Sequence, residues 1–296
     1  MTRYVLVTGG QGQLGTELQR CAWPQGWEVV AIDLADLDLT DTAAIAARVA
    51  ERPWAAIING AAYTAVDKAE SDIVTAWAVN AMAPAAFGEA CAKADIPLVQ
   101  VSTDYVFPGD KEGPRHPDDA VGPLSVYGAS KLGGELAVRT SGARHAIVRT
   151  AWVVSAHGNN FIKTMLRVGA TNGVLRVVDD QTGSPTSAAD LAHALMTIAV
   201  RLADDADAPS GTYHFSNAGA VTWAGFASEI FAQSAARGGP TAEVVGITTA
   251  DYPTPAKRPA NSLLDHGAIT AAYDINPRPW PEALGDILDE LIGAKQ

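Results

Sequence analysis

The stretch TGGQGQLGTEL, residues 8–18, places three glycines directly after a strand-like run and at the start of a helix-like run. Gly9, Gly12 and Gly15 follow the spacing G-x-x-G-x-x-G. Glycine allows a tight turn and lets backbone N–H groups approach a phosphate, and the N-terminus of the following helix adds partial positive charge. The stretch therefore predicts a dinucleotide-binding turn between a first strand and a first helix.

The residues after this turn continue the alternation of strand and helix patterns. Short β-rich runs recur as RYVLVT, WEVVAI, AAIIN, PLVQVS and RHAIVRTAW, with helical patterns between them. Such alternation is typical of parallel strands joined by helical crossovers. It predicts an α/β fold with a Rossmann-like, doubly wound parallel sheet, whose ligands bind beyond the carboxyl ends of the strands.

The second half of the chain is richer in turn-forming segments. From about residue 152, turn-forming segments such as GNN, TNG, DDQTGSP, YPTPAKRP and NPRPWP interrupt shorter helical patterns. We predict a dinucleotide-binding domain over residues 1–151 and a smaller, loop-rich C-terminal lobe over residues 152–296. This lobe is expected to bind mainly the substrate and to be interleaved with the first domain.

Composition restricts the class of protein. The 296 residues include 21 Lys and Arg against 33 Asp and Glu, a net charge of −12, which disfavours binding to nucleic acid or to an anionic membrane. No apolar run approaches the roughly 18 residues that span a bilayer. The N-terminus reads as a strand rather than a secretory signal. Cys21 and Cys91 are too few for a disulfide framework, and the six histidines form no evident metal cluster. A cytoplasmic protein without a metal is expected.

Asp33 follows the second strand pattern, about 20 residues beyond the glycine turn. An acid at this position can accept a hydrogen bond from an adenosine ribose hydroxyl and would repel a 2′-phosphate. Both NADH and NADPH remain open, and Asp33 could instead cap a turn. Asp38 and Leu39 could border the adenine or simply belong to a loop.

The segment VYGASKLGGE, residues 126–135, places Tyr127 four positions before Lys131 on one face of a predicted helix. A tyrosine titrates near pH ~10, and a nearby ammonium would lower that pKa toward neutrality, as acid–base catalysis requires. The small residues around the pair, Gly128 among them, are expected to leave room for a nicotinamide. Taken alone, the spacing also fits a surface pair.

A second polar element, VSTDYVF, lies at the carboxyl end of the fourth strand pattern. Ser102 and Thr103 are expected to place their hydroxyls beside the crevice that opens there. Thr103 could hydrogen-bond a carbonyl oxygen on which charge develops. The alternative is that these hydroxyls only cap the end of the strand.

These elements together resemble the extended short-chain dehydrogenase/reductases that act on nucleotide sugars. Within that superfamily the chain resembles the dTDP-4-dehydrorhamnose reductase family in NGAAYTAVDKAES (59–71), STDYVFPG (102–109), VYGASKLGGE (126–135), RTAWV (149–153), GNNFIKTMLR (158–167), DDQTGSPT (179–186) and YPTPAKRPANS (252–262). The resemblance implies reduction of dTDP-4-dehydro-β-L-rhamnose by NADPH or NADH in dTDP-rhamnose biosynthesis. The implied partner is a dTDP-linked deoxyketosugar.

The resemblance also assigns roles to individual residues. Tyr127 would be the proton donor, Lys131 its electrostatic partner and a ribose ligand, and Thr103 the group that adjusts the tyrosine. Cofactor contacts are implied for Gly12, Gln13 and Leu14 at the pyrophosphate, Asp33, Asp38 and Leu39 near adenosine, and Ala61, Ala62, Tyr63 and Val101 along the cofactor. Substrate contacts are implied for Thr103, Asp104 and Trp152, and at the nucleotide end for Asn160, Lys163 and Arg258.

Some members of the family bind Mg²⁺ at a dimer contact through three glutamates. Glu17 and Glu290 match two of these positions, but Ala189 stands at the third. A hard cation would then lack one charged oxygen ligand. A homodimer is possible, and a metal bridge is not expected.

Two other readings stay open. The first is another nucleotide-sugar enzyme: a 4,6-dehydratase is disfavoured because Tyr105 stands where that chemistry needs an acid, whereas a 4-epimerase is not excluded by residues alone. The second is a non-catalytic NAD(P)-binding regulatory subunit. Such a subunit would be expected to have lost the catalytic pair, which this chain retains.

Overall fold

The computed structural model describes residues 2–293. Its strands are β1 Arg3–Thr8, β2 Trp27–Ile32, β3 Trp54–Asn59, β4 Leu98–Thr103, β5 His145–Thr150, β6 Val153–Val154, β7 Val174–Val178, β8 Thr182–Gly183, β9 Thr186–Ser187, β10 Gly211–His214, β11 Val221–Thr222 and β12 Glu243–Ile247. Its helices are α1 Gln13–Arg20, α2 Thr42–Ala50, α3 Val66–Ala69, α4 Ile73–Trp77, α5 Ala83–Ala94, α6 Val126–Thr140, α7 Phe161–Gly169, α8 Ala188–Asp204, α9 Trp223–Ala236, α10 Gly267–Tyr273 and α11 Trp280–Ile292. A π-helical turn, Ala78–Met82, links α4 to α5, and 3₁₀ turns cover Asp104–Val106 and Thr249–Asp251.

Six strands form one parallel sheet in the order β10-β5-β4-β3-β1-β2. The doubly wound parallel sheet predicted from the sequence is confirmed. Its edge strand β10 comes from the second half of the chain and pairs with β5 from Gly211↔Ala146 to His214↔Arg149. The second half of the chain therefore contributes a strand to the main sheet, while the division into two interleaved domains near residue 151 stays a prediction.

Both faces of the sheet are covered, so its strands are apolar on both sides. On one face, Val5 and Val7 share a buried cluster with Leu195 of α8. On the other face, Leu6 packs in a cluster with Ile45 of α2. Each such side chain contributes about 1.5–3 kcal/mol on burial. Helix α8, from the second half, therefore helps to form the core of the first.

The remaining strands form small sheets beside the main one. β7 pairs with β12 in parallel, β8 with β11 antiparallel, and β6 with β9 in parallel. Helices α7, α9 and α11 bury their own apolar cluster, which includes Ile162, Phe226, Ile230, Leu284 and Leu288. The described helices are all too short or too polar to cross a bilayer.

The glycine turn brings β1 and α1 unusually close together. Gly9 has φ +76°, a left-handed conformation that favours glycine. A Cβ on Gly15 would lie 2.1 Å from the carbonyl oxygen of Gly9. No side chain fits at that distance, so the third glycine of the motif is required for packing of the turn against the helix.

Replacing Gly15 by alanine should therefore displace the glycine turn. We expect Gly15→Ala to lower the free energy of unfolding by about 1–3 kcal/mol, as overpacking does, and to weaken NADH binding. Urea unfolding and NADH titration measure the two effects. Gly173→Ala is the matched control, because a Cβ there meets no atom within 4 Å. Equal stability and NADH affinity in the two variants would contradict this account of the turn.

Candidate active site

A cleft of about 440 Å³ opens beside the glycine turn. It is lined by Thr8, Gly9, Ile32, Asp33, Leu34, Leu37, Asp38, Leu39, Thr40, Ala61, Ala62, Tyr63, Thr75 and Val79. The structure thus brings seven of the predicted cofactor residues to one cleft: Gly9, Asp33, Asp38, Leu39, Ala61, Ala62 and Tyr63. The other predicted cofactor residues lie outside the lining of this cleft. They are found on three elements: Gly12, Gln13, Leu14 and Gly15 at the start of α1, Val101 on β4, and Tyr127 and Lys131 on α6.

The acidic residues of this cleft are held by backbone amides. Asp33 accepts hydrogen bonds from Gln11 N through Oδ2 and from Leu34 N through Oδ1, both at 2.8 Å. Asp38 accepts from the backbone and the hydroxyl of Thr40, which lower its pKa. The lining contains no Lys or Arg. The carboxylates of the cleft are therefore placed to accept a hydrogen bond from a ribose hydroxyl.

Sequence reasoning missed the apolar wall of the cleft. Ile32 and Thr8 are the last residues of their strands, and Leu37 follows in the next loop. The rule that ligands bind beyond strand ends could have found the first two. Val79 lies in the π-helical turn, a local irregularity that the sequence pattern did not indicate.

Tyr127 lies in the first turn of α6, where the helix meets the end of β4. Ser125 caps this helix by accepting a hydrogen bond from Gly128 N at 3.2 Å. A Cβ on Gly128 would lie 2.2 Å from the carbonyl oxygen of Tyr105. The rings of Tyr105 and Tyr127 meet edge to face with centroids 5.5 Å apart. Gly128 therefore allows α6 to rest on the turn that follows β4.

The small residues of α6 were expected to leave room for a nicotinamide, and this expectation is wrong for the glycines. Gly128 is filled by the turn after β4, as described above. A Cβ on Gly133 would lie 2.8 Å from the Trp77 ring, and one on Gly134 would lie 2.2 Å from Asn80 O. These glycines serve the close packing of α6 against its neighbouring elements.

The electrostatics of the tyrosine and lysine also differ from the expectation. Burial raises the pKa of Tyr127 to about 12, opposed by a hydrogen bond with Thr103. The Lys131 ammonium donates to Val101 O at 2.7 Å, and burial lowers the pKa of Lys131 to about 8, opposed by Glu135. The predicted lowering of the phenol pKa is thus wrong, because desolvation of the phenol outweighs the Thr103 hydrogen bond and the nearby Asp104 carboxylate raises the pKa further. Tyr127 is a protonated phenol at neutral pH.

Thr103 and Asp104 form a buried polar pair at the end of β4. Thr103 Oγ1 donates to Asp104 Oδ1 at 2.9 Å and accepts from Tyr105 N at 3.2 Å. Asp104 Oδ2 makes no hydrogen bond within residues 2–293. Burial raises the pKa of Asp104 to about 6, against hydrogen bonds that lower it. The strand end therefore presents a hydroxyl beside Tyr127 and a carboxyl that is readily protonated.

The Ser102 hydroxyl was expected beside the crevice, but it is buried and bonded to α6. It donates to Glu135 Oε1 at 2.6 Å, and the same carboxylate receives Arg149 Nε at 2.8 Å and Arg149 Nη2 at 2.7 Å. Glu135 and Arg149 are almost completely buried. Glu135 follows Lys131 by one turn of α6, so this ion pair ties the helix to the ends of β4 and β5. Neither partner was predicted from the sequence, since their separation along the chain gives no pairing signal.

Trp152 follows β5 with φ +50°, an uncommon value for a residue other than glycine. Its ring stacks on Trp223 with centroids 3.5 Å apart. The indole also lies close to Gly183, where an added Cβ would lie 2.6 Å from it. The half-buried ring is thus held in a fixed orientation by two segments of the C-terminal lobe.

The three residues predicted for the nucleotide end separate into two places. Arg258 pairs with Asp67 through Nη1 at 3.0 Å and Nη2 at 2.8 Å, and these contacts together with Tyr105 raise its pKa. Arg258 therefore belongs to the Tyr105 side of the site. Asn160 caps α7 and Lys163 donates to a carbonyl in the preceding loop, so both lie at the N-terminus of α7.

The residues present do not fit a magnesium ion. Glu17, His157 and Glu290 place potential ligand atoms within 4.8 Å of one another, which corrects the expectation that no histidine joins such a cluster. However, Arg20 Nη1 donates to Glu290 Oε1 at 2.8 Å, lies 3.6 Å from Glu17 Oε1 and contacts His157 Nε2. This guanidinium already neutralises the carboxylates and would repel a second cation. Ala189 supplies no ligand oxygen from its side chain.

The glycine turn, the strand-end threonine and the Tyr-x-x-x-Lys helix on a doubly wound sheet define an extended short-chain dehydrogenase/reductase. Residues 2–292 match the model of the family described as RmlD substrate binding domain. The chain belongs to this family, that of the dTDP-4-dehydrorhamnose reductases.

Relatives match the chain over nearly its full length. It is 42% identical to the dTDP-4-dehydrorhamnose reductase of Sinorhizobium fredii over 97% of each chain. The crystal structure of a dTDP-4-dehydrorhamnose reductase from Clostridium acetobutylicum superposes with a TM-score of 0.90 at 37% identity, covering 97% of this chain and 99% of that one. The Bacillus anthracis dTDP-4-dehydrorhamnose reductase, solved in complex with NADP, gives 0.90 at 34% identity over 98% and 100%.

The raised pKa of Asp104 predicts a pH-dependent stability. The folded state binds this proton more tightly than the unfolded chain, so protonation removes a cost as the pH falls from about 6 toward about 4. We expect Asp104→Asn to be more stable than the wild type at pH 8, by about 1–3 kcal/mol, with the difference shrinking toward pH 4. Urea unfolding at several pH values measures this difference.

Asp207→Asn, in an exposed loop, is the control for this measurement and should show no such trend. A stability difference between Asp104→Asn and the wild type that stays constant from pH 8 to pH 4 would contradict a raised pKa of the buried Asp104 carboxyl.

Proposed function

We propose that this protein reduces the C4 ketone of dTDP-4-dehydro-β-L-rhamnose to give dTDP-β-L-rhamnose, with NADPH or NADH as reductant and Tyr127 as proton donor. The observation that carries the proposal is the full-length match to dTDP-4-dehydrorhamnose reductases, joined to a phenol beside Thr103 at the end of β4. The product belongs to dTDP-rhamnose biosynthesis.

The glycine turn and the cleft beside it fit a nicotinamide dinucleotide. The close contact between Gly9 and Gly15 keeps side chains away from the place where a pyrophosphate would meet the N-terminus of α1. Asp33 would accept from the adenosine ribose, and the apolar cleft wall would enclose the adenine. When bound, the reduced nicotinamide supplies the hydride. Lys131, anchored to Val101 O, would hold the ribose nearest the nicotinamide.

Tyr127 would move the proton. Its raised pKa keeps the phenol protonated at neutral pH, as a donor must be. An alkoxide formed at C4 is a stronger base than a phenolate, so transfer of the phenolic proton to it is favourable. A hydrogen bond with Thr103 lowers the phenol pKa, and the Thr103 hydroxyl would stabilise the phenolate as it forms by turning its proton from Asp104 Oδ1 to the phenolate oxygen. Lys131, one helical turn along, would add positive charge to the same face.

The substrate side would be formed by the C-terminal lobe and the strand end. Asp104 would accept from a sugar hydroxyl, the fixed Trp152 ring would pack against the deoxysugar, and Arg258 would reach the diphosphate by exchanging part of its pairing with Asp67. Asn160 and Lys163 would approach the diphosphate from the N-terminus of α7, where backbone N–H groups favour an anion.

The competing activities make different demands. A 4,6-dehydratase needs an ionised carboxylate where this chain has Tyr105, and burial raises the pKa of Tyr105 further above its ordinary value. A 4-epimerase would return its hydride to the substrate and consume no cofactor, and a regulatory subunit would oxidise none. Net oxidation of NADPH or NADH in the presence of the ketosugar therefore distinguishes the proposed reductase from both.

The cytoplasmic location and the possible homodimer expected from the sequence stay predictions. Gel filtration with light scattering would measure the oligomeric state.

Removing the phenolic hydroxyl tests the proposed proton donor. We expect Tyr127→Phe to lower kcat for the ketosugar by at least about 100-fold, because general acid catalysis contributes roughly 10²–10⁴. The Kd for NADPH should stay within about twofold, since the ring remains. The assay couples dTDP-glucose through its upstream enzymes and follows oxidation of NADPH or NADH.

Tyr213→Phe is a matched control, because it removes the hydroxyl of a β10 tyrosine that donates to Pro209 O and lies outside the lining of the cleft. Its kcat should resemble that of the wild type. Wild-type turnover by Tyr127→Phe would exclude Tyr127 as the donor, and absence of cofactor oxidation by the wild type would exclude the reductase itself.

A further inference from the structure

Gln13 joins the glycine turn to the C-terminal lobe. It is the first residue of α1, directly after Gly12. Its Oε1 accepts from Asn160 Nδ2 and from Ser155 Oγ, each at 2.9 Å, and its Nε2 donates to Val153 O at 3.4 Å. One side chain amide therefore connects the start of α1 with a loop some 140 residues further along the chain.

Asn160, which donates to Gln13, is held through both the oxygen and the nitrogen of its side-chain amide. Its Oδ1 caps α7 by accepting from Lys163 N at 3.2 Å. Its Nδ2 also donates to Ser155 O at 2.7 Å, in addition to Gln13. Any displacement of Gln13 is thus transmitted to the first turn of α7 through a partner that is already held in place.

The loop between Ser155 and Asn160 is shaped around Gln13. Gly158 has φ +60°, and a Cβ added to it would lie 3.3 Å from Gln13 Cγ. The loop thus lies directly over the aliphatic part of this glutamine. The contact with Gly158 and the hydrogen bonds of Gln13 together give the bridge one defined geometry.

The bridge connects two places with related chemistry. The backbone at Gly12 and Gln13 lies where a cofactor pyrophosphate would bind, and the N-terminus of α7 lies where the proposed function puts the diphosphate of the sugar nucleotide. A bridge with one defined geometry carries a shift of one end to the other, so a ligand that favours one position of α1 also favours the matching position of α7. Coupling of this kind acts equally in both directions.

We propose that the Gln13–Asn160 bridge is a positioning link that couples cofactor binding to binding of the substrate nucleotide. This inference rests on the proposed function. A bound cofactor fixes the start of α1, Gln13 then holds the 155–160 loop, and α7 presents its N-terminus to the dTDP moiety. The affinity for dTDP is therefore greater in the presence of cofactor, and the affinity for cofactor is greater in the presence of dTDP.

Calorimetric titration of dTDP, alone and with saturating NADPH, tests the link. For the wild type we expect the Kd for dTDP to fall by about fivefold or more with NADPH present, the lower end of typical coupling. Gln13→Met keeps the aliphatic volume but removes the hydrogen bonds, and should bring this ratio close to one. Its Kd for dTDP without NADPH should change by less than about twofold, because Asn160 retains its cap and its bond to Ser155.

Two further variants separate the link from general damage. Gln11→Ala is the matched control: this exposed glutamine of the same turn makes no side-chain hydrogen bond within residues 2–293, and the coupling ratio should persist. Asn160→Ser keeps an N-cap residue but is too short to reach Gln13. It should lose the coupling as Gln13→Met does, and the double variant should lose nothing more.

Wild-type coupling in Gln13→Met would overturn the proposal, as would the lack of any coupling in a wild type that binds both ligands and reduces the ketosugar. That second result would leave the proposed function intact. Failure of dTDP to bind at all, together with no ketosugar reduction, would instead overturn the proposed function and the link with it.

Discussion

The active-site region depends on one close contact between backbones. Gly128 lets α6 approach the carbonyl of Tyr105 to a distance at which no side chain could be inserted. Because of this contact, the first turn of α6 sits against the end of β4 and Tyr127 comes beside Thr103. The glycine turn of the cofactor cleft uses the same means, with Gly15 against Gly9. Close approach of backbone to backbone thus sets the positions from which the polar groups act.

The buried ion pair between Glu135 and Arg149 holds α6 in this position. The Glu135 carboxylate binds both Ser102 and Arg149, all of them out of contact with water. Breaking such a pair leaves an uncompensated buried charge and costs about 3–5 kcal/mol, whereas its net contribution relative to an apolar core is small. The role of the ion pair is to position α6. It ties the helix to the ends of β4 and β5, and Lys131 of the same helix donates to Val101 O. The same burial keeps the Tyr127 phenol protonated.

The fold could be predicted from the sequence because its signals are local. Apolar runs, helical periodicity and glycine spacing each act over a few residues, and they indicated β1 to β5 and the position of the cleft. Strand β10 was not predicted, since its pairing with β5 is a long-range contact. At the site, strand-end positions such as Asp33 were placed around one cleft, but the partners of Gln13 and Ser102 were missed. The pKa of Tyr127 was predicted in the wrong direction, because desolvation depends on packing that no spacing encodes.

The contribution of β10 to the main sheet has a consequence for synthesis of the chain. When the ribosome has released only the first 151 residues, β5 is an open edge with unpaired backbone groups and the apolar side chains Ile147 and Val148 on its two faces. Helix α8, which covers part of one face, is also still to be made. About sixty further residues have to be synthesised before β10 can close the sheet, and an open edge with exposed apolar side chains is prone to aggregation during that interval.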